Sequence, residues 1–286
     1  MKQFRNTTLL LLGALAAGII TSCNDNGKRM LREGIDIVKE AQAAQKQNAK
    51  EAKETVPTTQ LEIPATTGKS QEIILRRNGY TVSYNKDTRL PNWVAWHLTA
   101  AHTKGSNQRK DISFQEDNDV PEPRATDTDY RGSGYDRGHM CPAGDNKWSL
   151  PAMEQSFLFT NICPQAPQLN RGDWNELEMA CRKWAKQYGD IYIVCGPVLY
   201  NKKHKTIGKH KVVVPEAFFK VVLCMTDKPK AIGFIYKNAD GNRPKGDYAN
   251  SVDEVERITG LDFFPSLPDK VERKVEAECN PDDWDL

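Results

Sequence analysis

Five segments of this chain have the alternating or continuously apolar pattern, rich in β-branched and aromatic residues, that is typical of β-strands. They lie at 80–84, 92–99, 190–200, 211–225 and 230–238. The long stretch between the second and third segments contains a helical pattern, and strands and helices do not alternate as they would in a βαβ series. This order predicts an α+β fold with a mainly antiparallel sheet flanked by helices.

Two amphipathic helices are predicted. In 170–189, apolar residues recur at helical spacing, namely Trp174, Leu177, Cys181, Trp184 and Tyr188. In 251–260, Ser251 and Glu254 have the spacing of a capping box, and Gly260 suits the end of the helix. The first helix is expected to turn its apolar stripe towards the core.

The first 22 residues have the features of a secretory signal peptide. Lys2 and Arg5 precede an apolar run from Leu9 to Ile20, which is short for a transmembrane helix. The next letters, "ITSC", resemble the lipobox of bacterial lipoproteins, which implies that Cys23 carries a lipid. Ordinary signal cleavage, with Cys23 incidental, is the alternative. In either case we expect the mature protein outside the cytoplasm, lipid-anchored in the cell envelope (periplasmic or at the cell surface) or secreted.

Residues 23–70 are rich in Ala, Gln, Lys and Glu and then in Thr and Pro, which predicts a tether ahead of a folded domain at 71–286. The six cysteines beyond Cys23 lack the paired C-x-x-C spacing of a zinc site, so they are read as disulfide staples or buried thiols. Fifteen pairings exist for six cysteines. Cys141 and Cys163 are the first pair to consider, because each lies beside one of the polar motifs described next.

Three polar segments interrupt the apolar pattern: "DRGH" at 136–139, "TNICPQ" at 160–165 and "LNRGDWNELE" at 169–178, with Arg182 one helical turn beyond. Each has an ordinary structural explanation. Asn161 could bond to its own turn, Asn170 could cap the helix, and Glu178 with Arg182 could form a surface pair.

Taken in order, these motifs resemble those of the DNA/RNA non-specific endonuclease family. The segments "NWVAWHL", "GPVLY", "VPEAFFKVV", "AIGFIYKN" and "SVDEVERITGLDFFPSLPD" are also similar to that family, in the same order, over about residues 75–270. The resemblance implies a ββα-metal core and a metal-dependent, sugar-non-specific endonuclease that hydrolyses phosphodiester bonds of DNA and RNA and leaves 5′-phosphate ends.

The resemblance also implies a role for each matching residue. His139 would be the general base that activates water, and Asn170 would anchor Mg²⁺, with Mn²⁺ or another divalent cation as alternatives. Asn161 would orient Asn170 or the metal-bound waters, and Glu178 would hold that water cluster.

Three arginines complete the expected site. Arg137 and Arg182 would face the phosphate, and Arg109 matches a third substrate-binding arginine in the loop after the second strand. DNA and RNA are the expected partners, together with a membrane through the N-terminal lipid; no protein partner is inferred.

Net charge does not decide whether the protein binds nucleic acid, because the formal value is only +2. Residues 201–211 contain five lysines and two histidines without an acid, which indicates either a phosphate-binding patch or a solvated hairpin loop. The acidic stretches 115–129 and 280–286 are predicted to be solvated loops, since the first lacks the spacing of an EF-hand.

Two other functions are open at this stage. The domain could be a catalytically silent module that binds nucleic acid or the envelope, although every polar residue of the motifs that we can match is present. It could also be an enzyme for another phosphodiester.

Overall fold

The computed structural model describes residues 60–66, 72–241 and 243–286. The predicted signal peptide, Cys23 and most of the predicted tether lie outside these residues. Within the described residues, no helix has the length and apolar character needed to cross a membrane.

Thirteen strands lie in the described residues, and four of them have eight or nine residues. They are β1 (Ala65–Thr66), β2 (Ile73–Arg76), β3 (Thr81–Asn85), β4 (Leu90–Leu98), β5 (Asp136–His139), β6 (Ile162–Gln165), β7 (Ile191–Val198), β8 (Thr206–Ile207), β9 (Val212–Val213), β10 (Ala217–Cys224), β11 (Lys230–Lys237), β12 (Ala249–Asn250) and β13 (Leu261–Asp262). The α-helices are α1 (Asp127–Tyr130), α2 (Leu150–Gln155), α3 (Pro167–Arg171), α4 (Asp173–Tyr188), α5 (Val252–Thr259) and α6 (Asp269–Ala277).

The central feature is a seven-stranded sheet with the order β12-β11-β10-β7-β4-β3-β2. Every neighbouring pair in it is antiparallel. All five predicted strand segments contribute to this sheet, so the predicted α+β class with a mainly antiparallel sheet is confirmed. The segment 211–225 divides into β9 and β10, and only β10 joins the large sheet.

Helices cover both faces of this sheet. Successive residues of a strand point to opposite faces, and β10 shows the consequence: Phe218 packs on Trp174 of α4 at 5.7 Å between ring centroids, while Phe219 packs on Phe263 at 5.6 Å. On the second face, α5 approaches β11 so closely that a Cβ atom at Gly233 would lie 2.5 Å from Val255. The sheet is therefore buried on both sides.

The predicted helix at 170–189 is interrupted. Gly172 has φ −102° and ψ −110°, and it separates α3 from α4. A Cβ atom there would lie 2.6 Å from the backbone oxygen of Gln168, so the break favours glycine. Asn170 consequently lies inside α3 and does not cap α4. The second predicted helix is α5, where the Ser251 hydroxyl accepts from the Glu254 N–H and Gly260 adopts a left-handed conformation with φ 70°.

The folded part begins N-terminal of residue 71. Leu61 is buried, and Ala65 and Thr66 of β1 pair with Asp262 and Leu261 of β13. The end of the predicted tether thus contributes a strand to the domain.

The two acidic stretches are not simply solvated loops, contrary to the prediction. In the first, Asp117 is buried and accepts from Arg77 and Thr160 at 2.6 Å each. In the second, Trp284 is buried against Trp184, with ring centroids 4.8 Å apart. Both stretches are partly buried because residues distant in sequence pack against them.

The basic stretch 201–211 contains β8 and the turn that leads to β9, and so forms one side of the small β8–β9 hairpin. Its histidines contact acids from elsewhere in the chain: His204 lies 3.0 Å from Glu216, and His210 lies 2.9 Å from Asp129. These contacts anchor the hairpin, while its lysines are exposed.

Candidate active site

The motifs "DRGH" and "ICPQ" are two paired strands, β5 and β6. Gly138 lies opposite Cys163 and His139 opposite Ile162. A Cβ atom at Gly138 would be 2.7 Å from the Cβ of Gln165, which explains why glycine stands in the motif. The indole Nε1 of Trp174 on α4 donates to the backbone oxygen of His139 at 3.2 Å. Strands β5 and β6 thus pair at His139, and α4 is hydrogen-bonded to the backbone of the same residue.

Six of the seven residues predicted to perform the chemistry line one cavity of about 490 Å³. The six are Arg109, Arg137, His139, Asn170, Glu178 and Arg182. They come from a 3₁₀ turn, from β5, from α3 and from α4, and span more than seventy positions of the sequence.

His139 is held between two phenylalanine rings. Phe157 makes an edge contact with the imidazole at 4.9 Å between centroids, and Phe114 packs on it at 5.3 Å. Only 8% of the residue is exposed, and Nε2 is buried without a hydrogen-bond partner among the described residues. Burial, reinforced by the charge of Arg109, lowers the pKa of His139 to about 3. The ring is therefore neutral at pH 7.

The same two phenylalanines also support arginines. The guanidinium of Arg109 lies over the ring of Phe157 at 5.6 Å, and that of Arg137 lies over Phe114 at 5.4 Å. His139 is consequently flanked by two cations that reach the same cavity.

Asn170 is oriented by Asp136, the first residue of β5. Its Nδ2 donates to Asp136 Oδ2 at 2.9 Å, and Arg171 donates to both oxygens of the same carboxylate at 2.7 and 2.8 Å. Although partial burial of Asp136 opposes ionisation, the hydrogen bonds from Arg171 and Asn170 hold its pKa below the usual range. With Nδ2 occupied, Oδ1 is the end of the amide that remains for a ligand.

Arg182 is positioned by a buried acid. Its Nη1 donates to Asp145 Oδ1 at 2.9 Å, and the other oxygen of Asp145 accepts from Trp96 Nε1 at 3.1 Å. Asp145 is 3% exposed, so this ion pair is shielded from water on one side. Glu178 lies one turn before Arg182 on α4 and faces the same cavity, so the pair is not a surface pair.

Glu178 lies near a second buried cation that the sequence analysis missed. Lys220 of β10 is 0% exposed, its Nζ has no hydrogen-bond partner among the described residues, and it lies 4.3 Å from the ring centre of Trp174. Burial raises the pKa of Glu178 to about 7, and the charge of Lys220 opposes this rise. The acid therefore titrates close to neutral pH.

A sequence profile of the DNA/RNA non-specific endonuclease family matches residues 57–270. The chain belongs to this family. The β5–β6–α4 arrangement around His139 is the ββα core that the resemblance predicted.

Individual members are clearly similar in sequence. The nuclease EXOG of Xenopus laevis mitochondria is 38% identical over 206 residues, which is 66% of this chain and 57% of that protein. Nuclease C1 of Cunninghamella echinulata is 40% identical over 210 residues, 68% of this chain and 83% of that protein. The chain thus spans somewhat over half the length of the EXOG relatives that it matches.

A solved structure supports the same fold. EndoG in the crystal structure of the EndoG/EndoGI complex superposes with a TM-score of 0.66 and 31% identity, over 71% of this chain and 91% of that chain. This endonuclease is the structural neighbour that a ββα-metal core predicts.

Asn161 is the predicted site residue that does not line the cavity. Its Oδ1 accepts from the backbone N–H of Cys141 at 2.9 Å, and its Nδ2 donates to the backbone oxygens of Cys141 and Ser156 at 2.8 Å each. All three bonds are to backbone groups and none is to Asn170, so no contact in the structure supports the predicted role in orienting Asn170 or metal-bound waters. Asn161 instead holds the segment that follows His139.

Cys141 and Cys163, the first pair considered from the sequence, do not form a disulfide. Cys141 and Cys163 are both buried free thiols, as are Cys181, Cys195 and Cys224, while Cys279 is exposed and free. Cys163 pairs with Gly138 across the β5–β6 ladder, whereas Cys141 lies beyond the end of β5 and receives a hydrogen bond from Asn146. Of the two readings of the cysteines, the structure supports buried thiols for all but Cys279.

Several contributors to the site were missed by sequence reasoning. Asp136 and Asp145 both lie within the "YDRGHMCPAGD" stretch, so proximity to the motif was a signal for them. Nothing in the sequence marked Phe114 and Phe157 as contributors to the site, because aromatic residues in irregular segments are usually interpreted as core residues.

Proposed function

We propose that this protein is a metal-dependent, sugar-non-specific endonuclease that hydrolyses phosphodiester bonds of DNA and RNA. The observation that carries the proposal is the convergence of a neutral histidine, an oriented amide oxygen, an acid and three arginines on one cavity. A phosphodiester requires an activated water and compensation of its charge, and this cavity offers groups for both.

His139 is proposed as the general base. Because Nε2 is buried, Nδ1 is the ring nitrogen available to take a proton from water. An incoming phosphate would offset the charge of Arg109, one of the two causes that lower the pKa of His139. Substrate binding would therefore raise that pKa towards the range in which a base works well.

The residues present fit a hard divalent cation. Oδ1 of Asn170 and the carboxylate of Glu178 are oxygen donors facing one polar cavity, and Mg²⁺ needs few protein ligands because it keeps much of its water shell. When bound, Mg²⁺ supplies charge stabilisation for the phosphoryl group and the leaving oxygen. Mn²⁺ or another divalent cation is the alternative.

The three arginines are proposed to bind the phosphate. Arg137 and Arg109 are held by aromatic rings and Arg182 by Asp145, so their guanidinium groups are oriented before substrate arrives. Attack by water on phosphorus with departure of the 3′ oxygen would leave 5′-phosphate ends. No base-reading motif accompanies these contacts, which suits cleavage without sequence choice.

The site of action remains a separate proposal. The basic and apolar N-terminal pattern and "ITSC" support export with a lipid on Cys23, which would tether the enzyme to the cell envelope. Mass spectrometry of the native protein should find a diacylglyceryl-modified cysteine at the mature N-terminus; an unmodified N-terminus at another residue would contradict it.

Cleavage assays test the main proposal. Wild-type protein should nick plasmid DNA and degrade total RNA, and EDTA should abolish both activities. His139→Ala should lose about 10² to 10⁴ in kcat on both substrates, whereas duplex affinity, which the arginines and the cation provide, should change little. The matched control is His204→Ala, which removes a histidine of the β8–β9 hairpin region that does not line the cavity.

Three results would contradict the proposal. Nearly full activity of a folded His139→Ala variant would make the histidine structural. Binding of nucleic acid without cleavage by the wild type would favour the silent binding module. Cleavage of a different phosphodiester in a substrate panel, with DNA and RNA untouched, would identify another hydrolase.

A further inference from the structure

Three carboxylates converge between the two C-terminal α-helices. Asp253 and Glu256 lie one turn apart on α5, and Glu276 lies on α6, which packs against α5. One oxygen from each of the three lies within 4.8 Å of the others. None of them lines the cavity that contains His139.

The innermost carboxylate has no partner in the described part of the protein. Glu276 is 6% exposed, and its Oε1 is buried without a hydrogen bond. An unpaired carboxylate in such a place is costly, because burial removes its hydration and nothing replaces it. Two other buried acids are paired with arginines: Asp145 binds Arg182, and Asp117 binds Arg77.

The acids around Glu276 increase the free-energy cost of burying its carboxylate. Burial disfavours the ionised form of Glu276, and the neighbouring groups that add to this effect are Glu256, Glu272, Asp253 and Asp262. All four are carboxylates. Arg257, the basic residue next to Glu256, is engaged outside the cluster by both oxygens of Glu254.

We propose that Asp253, Glu256 and Glu276 form a second divalent-cation site, which binds Ca²⁺ and holds α5 and α6 together. The buried acid would be the inner ligand and exposed Asp253 the outer one, which leaves a side open for water ligands. Phe263 donates to Oε1 of Glu256 at 2.7 Å, so Oε2 of that acid is free for the cation.

The donor set favours Ca²⁺ over Mg²⁺. Ca²⁺ takes several carboxylate oxygens in an irregular arrangement, whereas Mg²⁺ demands near-octahedral geometry and is usually bound through one or two carboxylates. Three carboxylates from two packed helices therefore suit Ca²⁺.

The expected role is structural. Val255 and Val275 lie beside the ligands in sequence and are buried, so each helix that carries the acids also buries an apolar side chain. A cation that binds only the folded protein stabilises it in proportion to its concentration over Kd. The inference does not depend on the nuclease activity, and its test requires no substrate.

Calcium titration of the purified mature protein tests the site. In excess Mg²⁺, which occupies the active site, calorimetric titration with CaCl₂ should find one further equivalent bound, and saturating Ca²⁺ should raise Tm by several degrees. Glu276→Gln keeps the size of the side chain but removes the charge, so it should weaken Ca²⁺ binding at least tenfold and abolish the rise in Tm. Glu254→Gln, on the same helix but paired with Arg257, is the matched control and should bind Ca²⁺ as the wild type does.

Asp253→Asn is the second variant in case Glu276→Gln fails to fold. Asp253 is exposed, so its replacement should leave folding intact while weakening Ca²⁺ binding at least tenfold. Absence of Ca²⁺ binding by the wild type, or unchanged binding by Asp253→Asn and Glu276→Gln, would overturn the proposal. A wild type that ignores Ca²⁺ while Glu276→Gln is more stable would instead show that Glu276 is a protonated acid.

Discussion

Asn170 and Asp136 are joined by a hydrogen bond of 2.9 Å that runs from the amide Nδ2 to the carboxylate Oδ2. An ionised carboxylate can only accept, and the pKa of Asp136 is lowered by its bonds to Arg171 and Asn170 despite partial burial. The bond therefore has one direction, and it leaves the amide oxygen of Asn170 as the group available to a cation. An acid that does not itself line the cavity thus orients the proposed metal ligand.

This relationship predicts the effect of Asp136→Asn. The new amide can donate as well as accept, so the orientation of Asn170 is no longer imposed, and loss of a partner of this kind usually weakens metal binding by about 10- to 100-fold. The Mg²⁺ concentration that gives half-maximal cleavage should rise accordingly. Asp119→Asn, which removes an exposed acid paired with Arg77, is the control and should leave it unchanged. If Asp136→Asn has the same Mg²⁺ dependence as wild type, the metal ligand is a residue other than Asn170.

Asn161→Ala should affect stability rather than metal dependence. The substitution leaves one backbone N–H and two backbone oxygens without their side-chain partner in a buried position. Since each buried unsatisfied group costs about 1 to 3 kcal/mol, the free energy of unfolding should fall by roughly 3 kcal/mol. Urea denaturation measures this loss, and Asn170→Ala provides the contrast: it should be far less destabilising but should require more Mg²⁺. A stable Asn161→Ala protein with altered Mg²⁺ dependence would support the role that the sequence predicts for Asn161.

The burial of His139 predicts how stability depends on pH. The pKa of this residue is about 3 in the folded protein and about 6.5 when unfolded, so the unfolded chain takes up the proton first as the pH falls. Its contribution is fully present above about pH 6.5 and is lost progressively down to about pH 3. Between pH 7 and pH 5, wild type should lose about 2 kcal/mol more stability than His139→Gln.

Denaturation in EDTA at the two pH values checks this difference, because the other titrating groups are common to both proteins. Equal losses in wild type and His139→Gln would show that the imidazole is hydrated in the folded state.

Glu178 should couple cation binding to proton release. Its pKa is about 7, so the acid is protonated below that pH and ionised above it. A bound cation favours the ionised form, and roughly half a proton per cation should leave at pH 7, more at pH 6 and almost none at pH 9. Calorimetry in two buffers of different ionisation enthalpy measures the release. Glu178→Gln should abolish it; persistence of the release would assign the proton to another group.

Much of this protein was readable from the sequence alone. The five strand segments, the helix ending at Gly189 and the capped helix at 251–260 depend on local periodicity and on turn residues, which act over a few positions. The motif around His139 and the spacing to Asn170 and Glu178 identified the family, because several short motifs in fixed order are rarely accidental.

Only the tertiary structure decided which side chains meet. Asp145 binds Arg182 across 37 positions, and Lys220, placed in an apolar strand, lies under the site because β10 passes behind α4. Asn161 has the residue type of a site residue, yet its amide bonds to backbone groups that folding brings to it. Local pattern determines which segments become strands and helices, whereas the partner of a polar side chain depends on how those elements pack.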